Sequence, residues 1–296
     1  MKEYIKLIRV KHYIKNFLIF AALLFSGQVF ILEKLTDCVI GFAAFCFLSS
    51  VIYIFNDIKD KDKDALHPKK RTRPIASGKI SVRSAVITAV ILLIAAGICF
   101  SFIYNIGALI LFALYAVINI AYSSGLKNIP LVDVTLLVSG FLIRVLFGAA
   151  VTGIEVSGWL YLTVITFSFF MAFGKRRNEL KIECSGDTRA VLKGYSLGFL
   201  DKSMYLCLAM ANTFYALWTM DSSTTEHYGT NKALFTVPIV LLITLKYSLD
   251  IEKETSDGDP TDVLFHDKAL LILCLIYAVL LFSLLYFDRI KIFLGI

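Results

Sequence analysis

Charge is scarce in this chain. Only 18% of its 296 residues are Asp, Glu, Lys or Arg while 58% are hydrophobic, and a mean hydropathy of +0.75 excludes a surface built for water. Cysteine pairs at ligand spacing are missing as well. The six cysteines include no C-x-x-C pair, and all but Cys184 fall inside apolar segments, where a thiol behaves as a small hydrophobe; this argues against thiolate metal sites and disulfides. No small-x-small cleavage site closes the long apolar run that follows the basic start Lys2, Lys6, Arg9, Lys11 and Lys15, so that run reads as a retained helix and not as a signal peptide.

Apolar segments of roughly 17 to 22 residues, about the length needed to cross a ~30 Å hydrocarbon core, recur along the chain. There are nine, near 16–32, 37–55, 84–104, 106–122, 132–151, 157–174, 203–220, 233–249 and 269–287. Basic residues are nearly absent from one side of them. With the N-terminus inside, the inner stretches carry 21 Lys and Arg and the outer ones 3, which predicts nine crossings, N-terminus cytoplasmic and C-terminus outside. The expectation is an all-α integral membrane protein of the cell (cytoplasmic) membrane, a single domain over 1–296. Its basic face also suits anionic lipid.

Three inner loops are long, 57–82, 175–201 and 251–267, and all mix acids with bases. In NDIKDKDKDALHPKKRTRPIASGKIS, Asp57, Asp60 and Asp64 sit at i, i+3 and i+7. A helix continuing past Asn56 would line these carboxylates on one stripe, with Asp62 pointing away. Like charges so placed repel unless a cation is among them, and Mg²⁺ suits carboxylates combined with substrate phosphates. Lys69, Lys70, Arg71 and Arg73 follow, and guanidinium forks and lysine points are good phosphate ligands. An acid stripe beside a basic cluster is what a metal-bridged diphosphate needs. The second loop opens KRRNEL, with Lys175, Arg176, Arg177 and Glu179; Arg176, Glu179 and Glu183 are at helical spacing. The third offers Asp257, Asp259, Asp262 and Asp267, with His266 beside the last. Arg144 lies in the middle of an apolar segment, and an Arg near the bilayer centre costs about 2.5 to 3.5 kcal/mol, which makes it a site candidate.

The order Asn56-Asp57-x-x-Asp60-x-x-x-Asp64 at the end of the second segment resembles the first aspartate motif of the UbiA superfamily of intramembrane prenyltransferases. The nine-helix layout resembles that superfamily too, so the likeness covers nearly the whole chain. Within it the resemblance is greatest to the polyprenyl-phosphate (decaprenyl-phosphate) phosphoribosyltransferases. It is carried by VKHYIKNFLIFAALLFSG at 10–27, the aspartate motif continuing into HPKKRTRPIASG, YSSGLKNIPLVDVTLLVSGFLIRVLFGAAVTG at 122–153 and FGKRRNEL at 173–180. Where prenylating members carry a second aspartate-rich motif, this chain reads KRRNEL, as expected for the phosphoribosyl branch. The superfamily's Tyr-x-x-x-Lys pattern is one residue longer here, from Tyr122 to Lys127.

The resemblance implies a UbiA-like bundle with a cytoplasm-facing polar cavity. The implied reaction is Mg²⁺-dependent transfer of 5-phosphoribose from phosphoribosyl diphosphate (PRPP) to a polyprenyl phosphate, with release of diphosphate, for a cell-envelope glycan precursor. Asn56, Asp57, Asp60 and Asp64 would hold Mg²⁺ on the diphosphate. Lys69, Arg71, Arg73, Lys175, Arg176 and Arg177 would share the phosphates, and Glu179 would meet ribose hydroxyls or position a base. Lys15, Tyr122, Lys127, Arg144 and Asp259 complete the expected substrate contacts. The expected partners are PRPP, the lipid and the bilayer, with no nucleic acid; a homo-oligomer is compatible with the sequence. One alternative keeps the superfamily but joins a polyprenyl diphosphate to an aromatic quinone precursor, against which KRRNEL speaks. Another is an ion or solute transporter, but transporters show repeated halves and midplane ionisable groups. The chain has no internal repeat and only Arg144 near a midplane.

Overall fold

The computed structural model describes residues 2–66, 70–182, 190–228, 230–252, 263, 264 and 266–294. Every regular element among them is helical. Short α1 (Lys2–Leu7) leads into a 3-10 helix, Val10–Phe20, and α2 (Ala21–Phe25). Then come α3 (Leu32–Lys59), α4 (Lys61–Leu66), α5 (Val82–Phe100), α6 (Ile106–Ser123), α7 (Val132–Thr152), α8 (Gly158–Ile182), α9 (Leu197–Met220), α10 (Ser222–Tyr228), α11 (Val237–Glu252) and α12 (Lys268–Leu294). Side-chain caps start several of them: Ser81 accepts from the Ser84 N–H at α5, Asn105 from Ala108 at α6, and Ser196 from Phe199 at α9.

Among the described residues, seven stretches are long and apolar enough to cross a membrane. They are Leu32–Lys59, Val82–Phe100, Ile106–Ser123, Val132–Thr152, Gly158–Lys181, Lys232–Glu252 and Lys268–Phe287. The segment expected at 203–220 lies in α9, whose 24 residues include Asp201 and Lys202 in the first turns. The segment expected at 16–32 is not one helix. Its first part is wound as 3-10 helix, with three residues per turn, so side chains at i and i+3 eclipse. That winding puts Tyr13, Asn16 and Ile19 in one row. Tyr13 bonds Ser50, Asn16 donates to Ser49 and Cys46, and the Ile19 carbonyl accepts from Cys38, all on α3.

The chain divides into two compact units, 1–125 with 143–155, and 126–142 with 156–296. In the first, α3 packs along α5, and the 3-10 helix and α6 also lie against α3. Phe45, Phe100, Phe112, Tyr115 and Phe147 interlock at its centre. A smaller cluster of Leu7, Ile54, Ile75, Ile80 and Ala85 pins the 70–81 loop and the N-terminus beside the end of α3. Outward, α5 exposes Val86, Ile87, Val90, Ile91, Leu93 and Ile94, an apolar face suited to lipid and not to water. In the second unit α8 packs along α9, over a core that includes Val134, Phe170, Leu200, Met204, Tyr247, Ile251 and Leu270.

Gly148 on α7 meets the 3-10 helix backbone to backbone, because a Cβ there would lie 1.8 Å from the Ile19 carbonyl oxygen. Gly148→Ala must therefore push two main chains apart. We expect it to destabilise the protein by about 1–3 kcal/mol, read as a lowered thermal midpoint in detergent beside a Gly97→Ala control, where nothing lies within 4 Å.

Candidate functional site

The helix expected to carry three acids on one stripe stops at Lys59. Asp60 caps it at φ −95, ψ 9, donating its N–H to the Asn56 carbonyl, and α4 begins at the next residue. Asp57 on α3 and Asp64 on α4 are both buried and converge on one guanidinium nitrogen, with Arg73 NH1 at 3.2 Å from Asp57 Oδ1 and 2.5 Å from Asp64 Oδ2. Asp62 is exposed, as expected.

Arg73 reaches this place because its loop is built to present it. A 3-10 turn at Lys70–Thr72 precedes it, Gly78 takes φ 74 to close the return, and Ile75 and Ile80 are buried beneath. Arg71, its neighbour, is exposed. Lys69 and Asp259 lie outside the described residues.

Arg9 joins Asp57 as well. Its backbone is left-handed, φ 54 and ψ 50, a conformation that costs a non-glycine residue of order 1–3 kcal/mol and persists only where the surroundings impose it. From there NH2 lies 2.5 Å from Asp57 Oδ1, and the guanidinium stands 4.7 Å over the Tyr53 ring. The backbone holds it through Arg9 N–H to Lys6 and His12 N–H to the Arg9 carbonyl. In the sequence Arg9 counts only as inner-side charge; nothing in its spacing marks a site residue.

Asn56 turns elsewhere. Its Oδ1 accepts from the Ser123 hydroxyl at 2.7 Å, and Lys59 Nζ donates to the Ser123 carbonyl, so the ends of α3 and α6 are tied. Tyr122 and Lys127 are half-buried nearby in sequence, as is Lys15 on the 3-10 helix. Arg144 is buried in the first unit, where Nε donates to Asn16 Oδ1 and NH2 to Tyr115 OH, both at 2.8 Å. The Phe45 and Tyr115 rings flank it at 5.4 and 4.9 Å.

In the second unit, α8 runs on through KRRNEL, as the sequence suggests. Arg176 is only 1% exposed and is held between Asp133 at 2.5 Å and Glu179 at 2.5 Å. Asp133 also accepts from the Tyr195 hydroxyl at 2.7 Å, which in turn accepts from the Leu131 N–H. Burial, followed by that bond to a carboxylate, holds the Tyr195 phenol well above its ordinary range. Arg177 pairs with Asp201 and with Glu252, and Asn178 donates to the Ile251 carbonyl. Lys175 is half-buried. From the third loop, Asp267 caps α12 and meets Lys246, whose hydrogen bond lowers its carboxyl pKa. Of Asp257, Asp262 and Glu183 nothing is described; His266 is exposed.

Sequence reading missed Asp133, although the signal was there: an acid just inside an apolar segment is as telling as Arg144. Tyr195 and Asp201 carried no local signal.

The first cluster fits a hard cation. Among the described residues no group of three or more His, Cys, Asp or Glu is arranged to hold a metal. Two converging carboxylates nevertheless match Mg²⁺, which takes one or two carboxylates, keeps waters and completes its shell from substrate phosphates.

The profile of the UbiA prenyltransferase family matches residues 17–183. A decaprenyl-phosphate phosphoribosyltransferase of Corynebacterium glutamicum is 35% identical over 279 residues, covering 92% of this chain and 83% of the relative. Its namesake in Mycolicibacterium smegmatis is 31% identical over 301 residues, covering 96% and 92%. Among solved structures, a UbiA homolog from Archaeoglobus fulgidus, bound to GPP and Mg²⁺, superposes with a TM-score of 0.70 at 20% identity, over 96% of this chain and 99% of that one. That fold, together with the family match over more than half of the sequence, is conclusive: the chain belongs to the UbiA prenyltransferase family.

Proposed function

We propose that this chain transfers 5-phosphoribose from PRPP to a polyprenyl phosphate such as decaprenyl phosphate, with Mg²⁺, in making a cell-envelope glycan precursor. The observation that carries this reading is the convergence of Asp57 and Asp64 with Arg9 and Arg73, a diphosphate-type set of acids and guanidinium groups. Relatives named for the same reaction align over nine-tenths of the chain.

Asp57 and Asp64 would hold the metal, with Asp60 and Asn56 flanking. Bound there, Mg²⁺ supplies positive charge to the leaving diphosphate as the bond to ribose C1 breaks. Arg73 and Arg9 supply fork-shaped donors to diphosphate oxygens, and Arg71 and Lys69 are further phosphate ligands in this reading. An oxygen of the lipid phosphate forms the new bond to C1 while the C1–O bond to diphosphate breaks. The acceptor is already an anion, so no proton has to be removed. Lys15, Tyr122, Lys127, Arg144, Lys175, Arg177 and Asp259 would supply further substrate contacts. In the same reading Arg176, held by Asp133, acts on phosphate, and Glu179 meets ribose hydroxyls or positions a base. The whole chain, 1–296, works as one multi-pass domain of nine crossings in the cytoplasmic membrane, N-terminus and polar cavity facing the cytoplasm.

The test supplies labelled PRPP and decaprenyl phosphate to the purified protein in lipid. Label is expected in the lipid fraction with Mg²⁺, falling about 10²-fold or more when EDTA removes the metal and returning on Mg²⁺ addition. Prenylation of an aromatic acid in its place would overturn the reading, as would ion uptake by protein-loaded liposomes without any lipid product.

A further inference from the structure

Asp57 and Asp64 are 3% and 4% exposed. Carboxylates so buried are costly without a cation beside them. The cation is Arg73: its NH1 alone reaches both acids, at 3.2 and 2.5 Å, and so occupies the position that a metal shared by the two would take. Arg9 NH2 meets the same Asp57 oxygen at 2.5 Å. The set is neutral, with two acids and two bases. A divalent cation arriving alone would meet two positive groups already on its ligands, and diphosphate arriving alone would find both guanidinium groups held by acids.

Building on the proposed reaction, we infer that Arg73, aided by Arg9, is an exchangeable counter-ion that makes the site selective for metal and diphosphate together. When both enter, the carboxylates pass to the metal and the guanidinium groups pass to phosphate oxygens, so that every charge keeps a partner throughout. The structure suits side-chain exchange on a fixed frame. Arg73 is 30% exposed on its side chain while Ile75 and Ile80 pin its loop. Arg9 keeps the Tyr53 ring as a second anchor when it leaves Asp57. Arg9 thereby becomes a specificity-determining residue of the site, a role that neither its position nor the aspartate motif indicates.

The experiment measures Mn²⁺ binding, by its spin signal, to the full chain in lipid nanodiscs with no phosphate compound present. Wild type is expected to bind weakly. Arg73→Gln should bind at least about tenfold more tightly, because the competing charge is gone, Arg9→Gln should shift in the same direction by less, and Arg73→Lys should stay near wild type. The double variant Asp57→Asn/Arg73→Gln should lose the gain. If both single Gln variants melt like wild type and bind Mn²⁺ no more tightly, the exchange is overturned. Should wild type still move ribose phosphate from PRPP to lipid, the transfer reaction stands without it. Tighter Mn²⁺ binding in Arg73→Gln, with no transfer from PRPP by wild type, would keep the exchange and sink the reaction.

Discussion

Asp57→Asn is expected to lower the rate of ribose-phosphate transfer by about 10²–10³-fold, the usual loss when one preorganised charge at a reacting centre is removed. The amide keeps the shape and still accepts a hydrogen bond, but it no longer carries the charge on which Arg9 and Arg73 both converge. Breaking a buried ion pair can itself cost about 3–5 kcal/mol, because the surviving charge is stranded. Here the survivors are not stranded. The Arg9 and Arg73 side chains are 19% and 30% exposed, and Arg73 keeps Asp64. Water therefore takes up much of the loss, and the variant should fold. Initial rates with labelled PRPP, set beside a thermal melt, check both halves of this expectation. Near-normal turnover would remove Asp57 from the centre of the site, and a protein that collapses would mean that the surviving arginines are stranded after all.

The largest effect on stability is expected at Asp133→Asn. Asp133 is fully buried and bonds two partners, Arg176 at 2.5 Å and Tyr195 at 2.7 Å. Arg176 is itself 1% exposed, so losing this acid leaves a guanidinium group in a dry setting with Glu179 as its remaining carboxylate among those described. We expect a loss of about 3 kcal/mol, towards the lower end for a broken buried pair because Glu179 stays. A double-mutant cycle isolates the pair: Asp133→Asn with Arg176→Met should cost less than the two single losses added together. Additive losses would mean that the two residues do not depend on each other. Because the pair joins the start of α7 to α8 and, through Tyr195, to the turn before α9, the damage should spread across the second unit as raised hydrogen exchange.

Much of the site is legible in the sequence alone. Asp57 and Asp64 are marked by their spacing, and Arg73 by its place in a basic cluster that carries acids beside it. Arg144 stands out because a charge inside an apolar segment is expensive. An unbroken helix from Asp57 to Asp64, by contrast, does not form. Asp60 ends α3, and Asp57 and Asp64 meet Arg73 from two successive helices. The first apolar segment is equally misleading, since hydropathy reports that a stretch is oily but not that it winds with three residues per turn.

By itself the sequence determined the apolar segments, the loops in which basic charge gathers, and the acids and bases available for a diphosphate. These follow from composition and from periodicity along one helix, which are local properties. Only the tertiary structure decided which charges meet. Arg9 lies 48 positions from Asp57, and Arg144 lies 128 from Asn16; no local pattern links residues so far apart. It also decided that Arg176 is locked to Asp133 while Arg73 stands between two acids. The physical reason is that an ion pair depends on distance in space and on exclusion of water, and both arise only once helices pack.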